Sequence, residues 1–135
     1  MDHEFHFTVR HLGDRFAIEA FEIRNGYPGG YEFSAIDDIE GEPFELLEKI
    51  IGRMRRALNR RHIYWDETSR NWQITDNDVV RGTIHSDLDS SDYQRLPLMV
   101  IDGKDISWSE LGRMLMIYEG FNFKLEIFDR TDEIP

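Results

Sequence analysis

Cysteine is absent, which excludes a disulfide framework, a thiolate metal site and a cysteine nucleophile. No apolar run approaches the ~18 residues that a membrane span needs. The opening MDHEFHF carries neither the basic nor the apolar region of a secretory signal. Phosphate-cradling patterns are missing: there is no G-x-x-x-x-G-K-[ST] and no G-x-G-x-x-G, and Gly26, Gly29 and Gly30 fit neither spacing. A G-x-S-x-G nucleophile elbow is missing too. Positive charge is scarce, with 16 Lys+Arg against 27 Asp+Glu, a net charge of −11 over 135 residues. Such a balance disfavours nucleic-acid backbones, whose binding draws on Lys and Arg. The expectation is a cytoplasmic protein with no membrane association, no direct nucleic-acid binding, no cofactor and no metal, leaning away from an enzyme.

What is present is enough for a packed core. Hydrophobic residues make up 40% and aromatics 13%, so wholesale disorder is excluded. The length suggests a single domain over 1–130, with a polar tail at 131–135. Phe5, Phe7 and Val9 alternate with polar residues, the period of a half-buried strand. Gly13-Asp14 marks a turn. Phe16, Ile18 and Ala20 alternate, then the phase slips to Phe21 and Ile23, which predicts a bulge near Ala20–Phe21. Asn25 to Gly30 is a turn cluster, and Tyr31, Phe33 and Ala35 begin a third strand. Pro43 suits a first helical position. Leu47, Ile50, Ile51, Met54 and Leu58 then form one stripe of a helix that ends near Arg61.

Trp72–Thr75, Val79–Ile84 and Leu98–Ile101 read as short strands. Ser107 with Glu110 is a capping box, opening a helix with Trp108, Leu111, Leu115 and Tyr118 on one face and Gly120 as its left-handed stop. Phe121, Phe123, Leu125 and Ile127 alternate as a terminal strand. The fold expected is α+β, an antiparallel β-sheet with two helices packed on one face, in the order β-β-β-α-β-β-β-α-β. The segment Trp108 to Ile127, WSELGRMLMIYEGFNFKLEI, resembles the C-terminal signature of an uncharacterised family of small bacterial domains. That resemblance implies a bacterial cytoplasmic protein and assigns no catalytic residues.

The charge is uneven. Residues 1–48 hold 12 acids and 3 bases, residues 49–61 hold 6 bases and no acid, and residues 62–135 hold 15 acids and 7 bases. The acidic stretch around Asp37, Asp38, Glu40, Glu42 and Glu45 is the candidate surface for a basic protein partner, attracted by electrostatic steering. An immunity-type inhibitor or a nucleic-acid mimic would be concrete forms of such a non-catalytic binding module. In the basic island, Arg53, Arg56 and Arg60 share a helical face and could grip an anionic ligand, since guanidinium forks bind phosphate and carboxylate bidentately. Cations near a helix C-terminus also complement its dipole, so the island has a structural reading as well. A third reading is a dimerising module, with a terminal strand pairing with its copy.

The histidines carry less. His3, His6 and His11 with Glu4 could ligate zinc by type, but in a strand His3 and His6 point to opposite faces. His62 and His85 have no local partner that marks a base. Asp87, Asp89, Ser91 and Asp92 begin like a calcium loop, yet Asp92 stands where glycine is needed and Leu98 where glutamate is needed. Asp76 and Asp78 read as a polar turn.

Overall fold

The computed structural model describes residues 3–38, 43–90 and 95–135. The protein is α+β, and its chain divides into two compact units, Met1–Arg60 with Ile127–Pro135, and Arg61–Glu126. The sequence reading as one domain sees no linker at this division; the change from the basic 49–61 to the acidic 62–135 is the one feature of the sequence that falls there.

In the first unit, β1 (Phe5–Leu12), β2 (Arg15–Arg24) and β3 (Tyr27–Asp38) form an antiparallel meander in that order. Asn25 and Gly26 join β2 to β3 with φ of 53° and 82°. Two successive positive φ values are what a type I′ hairpin turn demands, and Asn-Gly is its preferred pair. Only these two residues of the expected turn cluster turn the chain; Tyr27 to Gly30 already belong to β3. The register slips between Phe21 and Ile23, one residue beyond the expected bulge. Gly29, Gly30 and Tyr31 thereby face the single residue Glu22.

The helix α1 (Pro43–Leu58) covers this sheet. Leu46, Ile50 and Met54 pack against Phe16, Ile18, Ala20 and Ala35, with Leu47 and Ile51 at the margin. The apolar stripe was legible, but its centre lies one residue earlier than Leu47. The helix stops at Leu58 rather than near Arg61.

The second unit has two small sheets. β4 (Ile63–Asp66) and β5 (Asn71–Ile74) make a hairpin; β6 (Gly82–Ser86), β7 (Pro97–Ile101) and β8 (Lys104–Ser107) make a second meander. Five short strands thus stand between the helices. β4 and β8 have four residues each, too few to show a period, and β8 exists because Asp102-Gly103 form another I′-type turn with φ of 53° and 74°.

The helix α2 (Trp108–Met116) opens with both bonds of the capping box at 3.1 Å. Its buried face is Met114 with Leu111 and Tyr118, packed on Ile63, Ile74, Ile101 and Ile106. Trp108 and Leu115 of the expected stripe are exposed, because spacing alone could not distinguish the 111–114–118 row from its neighbour. Gly120 takes the left-handed conformation (φ 90°) as expected, but the helix has already ended at Met116 with Ile117 as its C-cap. Residues 121–129, expected as a terminal strand, are irregular and pair with no strand among the described residues. No helix among the described residues is long and apolar enough to cross a membrane.

Candidate functional site

The acidic surface of the first unit centres on the start of α1. Phe44, Glu45 and Glu48 are exposed, and Phe44 is 75% accessible. Phe44 and Glu48 are four residues apart and Glu45 and Glu48 three apart, so the ring and the two carboxylates lie together on the outer face. Of the sequence candidates, Asp37 is half-buried with Lys49 Nζ at 3.9 Å, and Asp38 is exposed with Arg15 Nε at 3.8 Å. Both contacts are too long for strong ion pairs at the surface. Glu40 and Glu42 lie outside the described residues. Phe44 was missed in the sequence because it falls off the apolar stripe.

The other end of α1 is basic, and two of its arginines, Arg53 and Arg56, are held by the chain's own C-terminal residues. Asp129 folds those residues into a turn, accepting from the Thr131 N–H at 2.9 Å and the Thr131 hydroxyl at 2.7 Å. The turn presents the Thr131 carbonyl to Arg53, which donates to it at 2.6 Å and to the Ser34 carbonyl of β3 at 3.1 Å. Arg56 grips Glu133 with both forks, at 2.6 and 2.8 Å. The Arg56 hydrogen bonds hold the Glu133 carboxyl below its usual range, with the charges of Arg56, Arg53 and Arg60 adding to the effect. Arg60 lies beyond the helix end, so the three arginines surround Glu133 but do not form one helical row. A carboxylate thus occupies the place where an anionic ligand was expected.

The N-terminal histidines do not gather. His3 Nδ1 lies 2.6 Å from Glu22 Oε2, His6 stacks on Phe21, and His11 is exposed. Glu22 is buried at the bulge, where its Oε1 also accepts from the Tyr31 N–H at 3.2 Å and faces Arg24 at 3.1 Å. Burial pushes this carboxyl up, but the hydrogen bonds from His3 and Tyr31 and the charge of Arg24 outweigh it, so its pKa lies below the ordinary value of 4.5. Gly30 makes the approach feasible. At its φ of 104° a side chain is strained, and a Cβ there would fall inside the space of the Glu22 carboxylate. Among the described residues no group of three or more His, Asp or Glu could hold a metal ion. The calcium-like start is a local turn in which Asp87 accepts from Asp89 N–H at 3.0 Å; Ser91 and Asp92 lie outside the described residues. Asp78 accepts from the Tyr118 hydroxyl at 3.1 Å.

The second unit holds an Asp–His–Arg chain in which Asp102 and His62 are buried and Arg81 is half-buried. Asp102 Oδ1 lies 2.7 Å from His62 Nδ1, and Oδ2 accepts from the backbone N–H groups of His62 (2.8 Å) and Ile63 (3.0 Å). Arg81 stands 3.2 Å from His62 Nε2. A guanidinium has only donors, so Nε2 is the acceptor and Nδ1 carries the proton toward Asp102. The lone pair a general base would use is already taken. The arrangement ties the first residues of β4 to the β7–β8 turn. Forty residues separate its partners, and in the sequence Asp102-Gly103 showed only a turn.

The chain belongs to a family described as a domain of unknown function (DUF7713), whose model matches residues 62–132. Residues 1–59 match the model of a second domain of unknown function (DUF7686). The join between the two matches falls where the two compact units divide near residue 60. The family model, like the resemblance through Trp108–Ile127, assigns no activity. No curated protein matches the chain, and no solved structure matches it.

Proposed function

We propose that this protein is a non-catalytic binding module that docks a basic protein partner on the acidic start of α1. The observation that carries the reading is Phe44, 75% accessible, standing beside the exposed Glu45 and Glu48. An exposed aromatic gives a contact its apolar anchor, and the surrounding carboxylates give it attraction and orientation. Asp37 and Asp38 extend the acidic sequence on the side of β3, and the net charge of −11 adds long-range steering. An inhibitor of the immunity type, or a mimic of nucleic acid, has these properties. The cysteine-free acidic composition and the resemblance through Trp108–Ile127 support a bacterial cytoplasmic setting. The capped His62 supports a role without catalysis at that site.

The test is capture by the tagged full chain from native lysate at low and high salt, with Phe44→Ala and a Glu45→Lys/Glu48→Lys pair alongside. A basic protein should be retained at low salt, leave as the Debye length contracts from about 10 Å at 0.1 M to about 3 Å at 1 M, and be lost by both variants. A partner retained equally by the charge-reversed chain would sink the reading. The bidentate grip on Glu133 favours one alternative, an anionic ligand site at Arg53, Arg56 and Arg60, from which a ligand must displace the tail. Glu133→Gln should then increase thermal stabilisation by phosphate-bearing ligands, and a flat response across a nucleotide and sugar-phosphate panel would count against it.

A further inference from the structure

Phe121, Phe123, Leu125 and Ile127 are 70%, 90%, 75% and 68% accessible, respectively. Four large apolar side chains at every second position are exposed on a segment that pairs with no strand among the described residues. Soluble proteins rarely leave a contiguous apolar run of this size to water, and backbone without a strand partner is open to pairing with another chain. Once the segment is drawn into a strand, the period of two puts these residues on one face. The polar positions respect the same period, because Lys124 Nζ and Glu126 Oε1 meet at 2.6 Å, as residues two apart on one side of an extended chain do.

We propose that this segment pairs with the same segment of a second copy as an antiparallel two-fold ribbon with Leu125 on the axis. The charges select both the occupant and the register. With Leu125 opposite the second copy's Leu125, each Phe123 faces an Ile127 and each Lys124 faces a Glu126. At the centre of the apolar face Leu125 meets Leu125 and Phe123 meets Ile127, while Phe121 at each end faces Asp129; two crossed ion pairs form on the other face. Shifting the axis to Lys124 sets two ammonium groups against each other, which destabilises the pairing. The same chain therefore supplies both halves of a self-complementary contact, which an isologous interface requires. Two phenylalanines carry on the order of 300 Å² per copy. Edge-to-edge pairing buries only part of that area and of the aliphatic pair's, since the side chains stand out of the plane of the paired strands, so the contact falls in the weak class below about 1,200 Å². The dimer is accordingly concentration-dependent, and it uses other residues than those at the acidic start of α1.

The experiment is sedimentation of the full chain from about 1 µM to about 500 µM. The mass should rise from 16.1 kDa toward twice that value, with amide protection appearing over 121–127 as it does. Lys124→Glu and Glu126→Lys, each alone, oppose like charges and should shift the midpoint at least tenfold upward. The double exchange K124E/E126K restores opposite charges and should recover dimerisation. Far-UV circular dichroism confirms that these surface variants fold. A monomer across the whole range would overturn the proposal. So would a dimer indifferent to the single exchanges, or one that the double exchange does not rescue. Segment protection that appears only with a different bound protein would also overturn it, in favour of a heterologous strand donor.

Discussion

Replacing Asp102 by alanine removes one carboxylate and strands three donors. The backbone N–H groups of His62 and Ile63 and the His62 ring N–H all end on it at 2.7–3.0 Å, and His62 is itself buried. Each buried donor left without an acceptor costs about 1–3 kcal/mol, so three stranded together cost about 3 kcal/mol or more. Alanine is also strained at the φ of 53° that Asp102 adopts, by about 1–2 kcal/mol. A unit of this length has roughly 3–10 kcal/mol in total, so Asp102→Ala should leave the second unit unfolded or nearly so. Asp102→Gly loses the same acceptor without the strain and should retain about 1 kcal/mol more. Asp102→Asn tolerates the positive φ and keeps one oxygen for the two backbone groups. Its amide, however, turns a donor toward His62 Nδ1, and shifting the ring proton to Nε2 sets it against Arg81. It should fall between wild type and glycine. The assay is urea unfolding followed by tryptophan fluorescence, which reports this unit alone because Trp65, Trp72 and Trp108 all lie within Arg61–Glu126. With a slope of about 1 kcal/mol per M urea for a small unit, the alanine midpoint should drop by at least about 3 M. A drop under about 1 M would refute the claim that Asp102 holds this unit together.

The remaining predictions concern the first unit. Glu22 has a folded-state pKa below its ordinary 4.5, so the stability it supplies is complete above that value and drains as the pH falls from there through the lowered one. Glu22→Gln should be less stable near neutrality and lose less on acidification, read by circular dichroism melts at several pH values; parallel pH profiles would contradict this. Gly30→Ala should destabilise the unit by about 1–3 kcal/mol through overpacking against Glu22, and nuclear magnetic resonance should show the His3 and Tyr31 signals displaced. Arg56→Ala should speed amide exchange at Thr131 and Asp132 while leaving the global melt of the sheet unchanged; unaltered exchange would mean that the Glu133 grip does not hold the tail.

How much of this was legible depended on how local its cause was. The Ser107–Glu110 cap, the α1 stripe and the phase slip beside Phe21 each rest on residues within one or two turns of chain, and each could be read directly. The strands β4 and β8 could not, since four residues show no period and their pairing depends on a turn or a distant partner. The acidic character was plain in composition, but Phe44 drew no notice because an apolar residue off the stripe looks like noise until the helix is seen from outside. Arg53 and Arg56 were visible as a basic island, while their occupants, Thr131 and Glu133, sit nearly eighty residues away. Glu22 and Asp102 were hidden for the same reason: a carboxylate's burial is decided by donors that only the fold brings to it.

The return of Ile127–Pro135 to the first unit makes the chain path resemble a bracket, opening before residue 61 and closing after residue 126. Two covalent crossings, rather than one, tether the second unit. Cutting the chain between Gly120 and Glu126 would open one crossing without releasing the last residues, because the Arg53 and Arg56 bonds to Thr131 and Glu133 would still hold them on α1. A fragment trimmed to residues 62–132 would carry part of that closing strap away from the helix that receives it. The family match to 62–132 and the compact unit Arg61–Glu126 therefore agree at their first border and differ at the second by residues 127–132, which belong to the first unit.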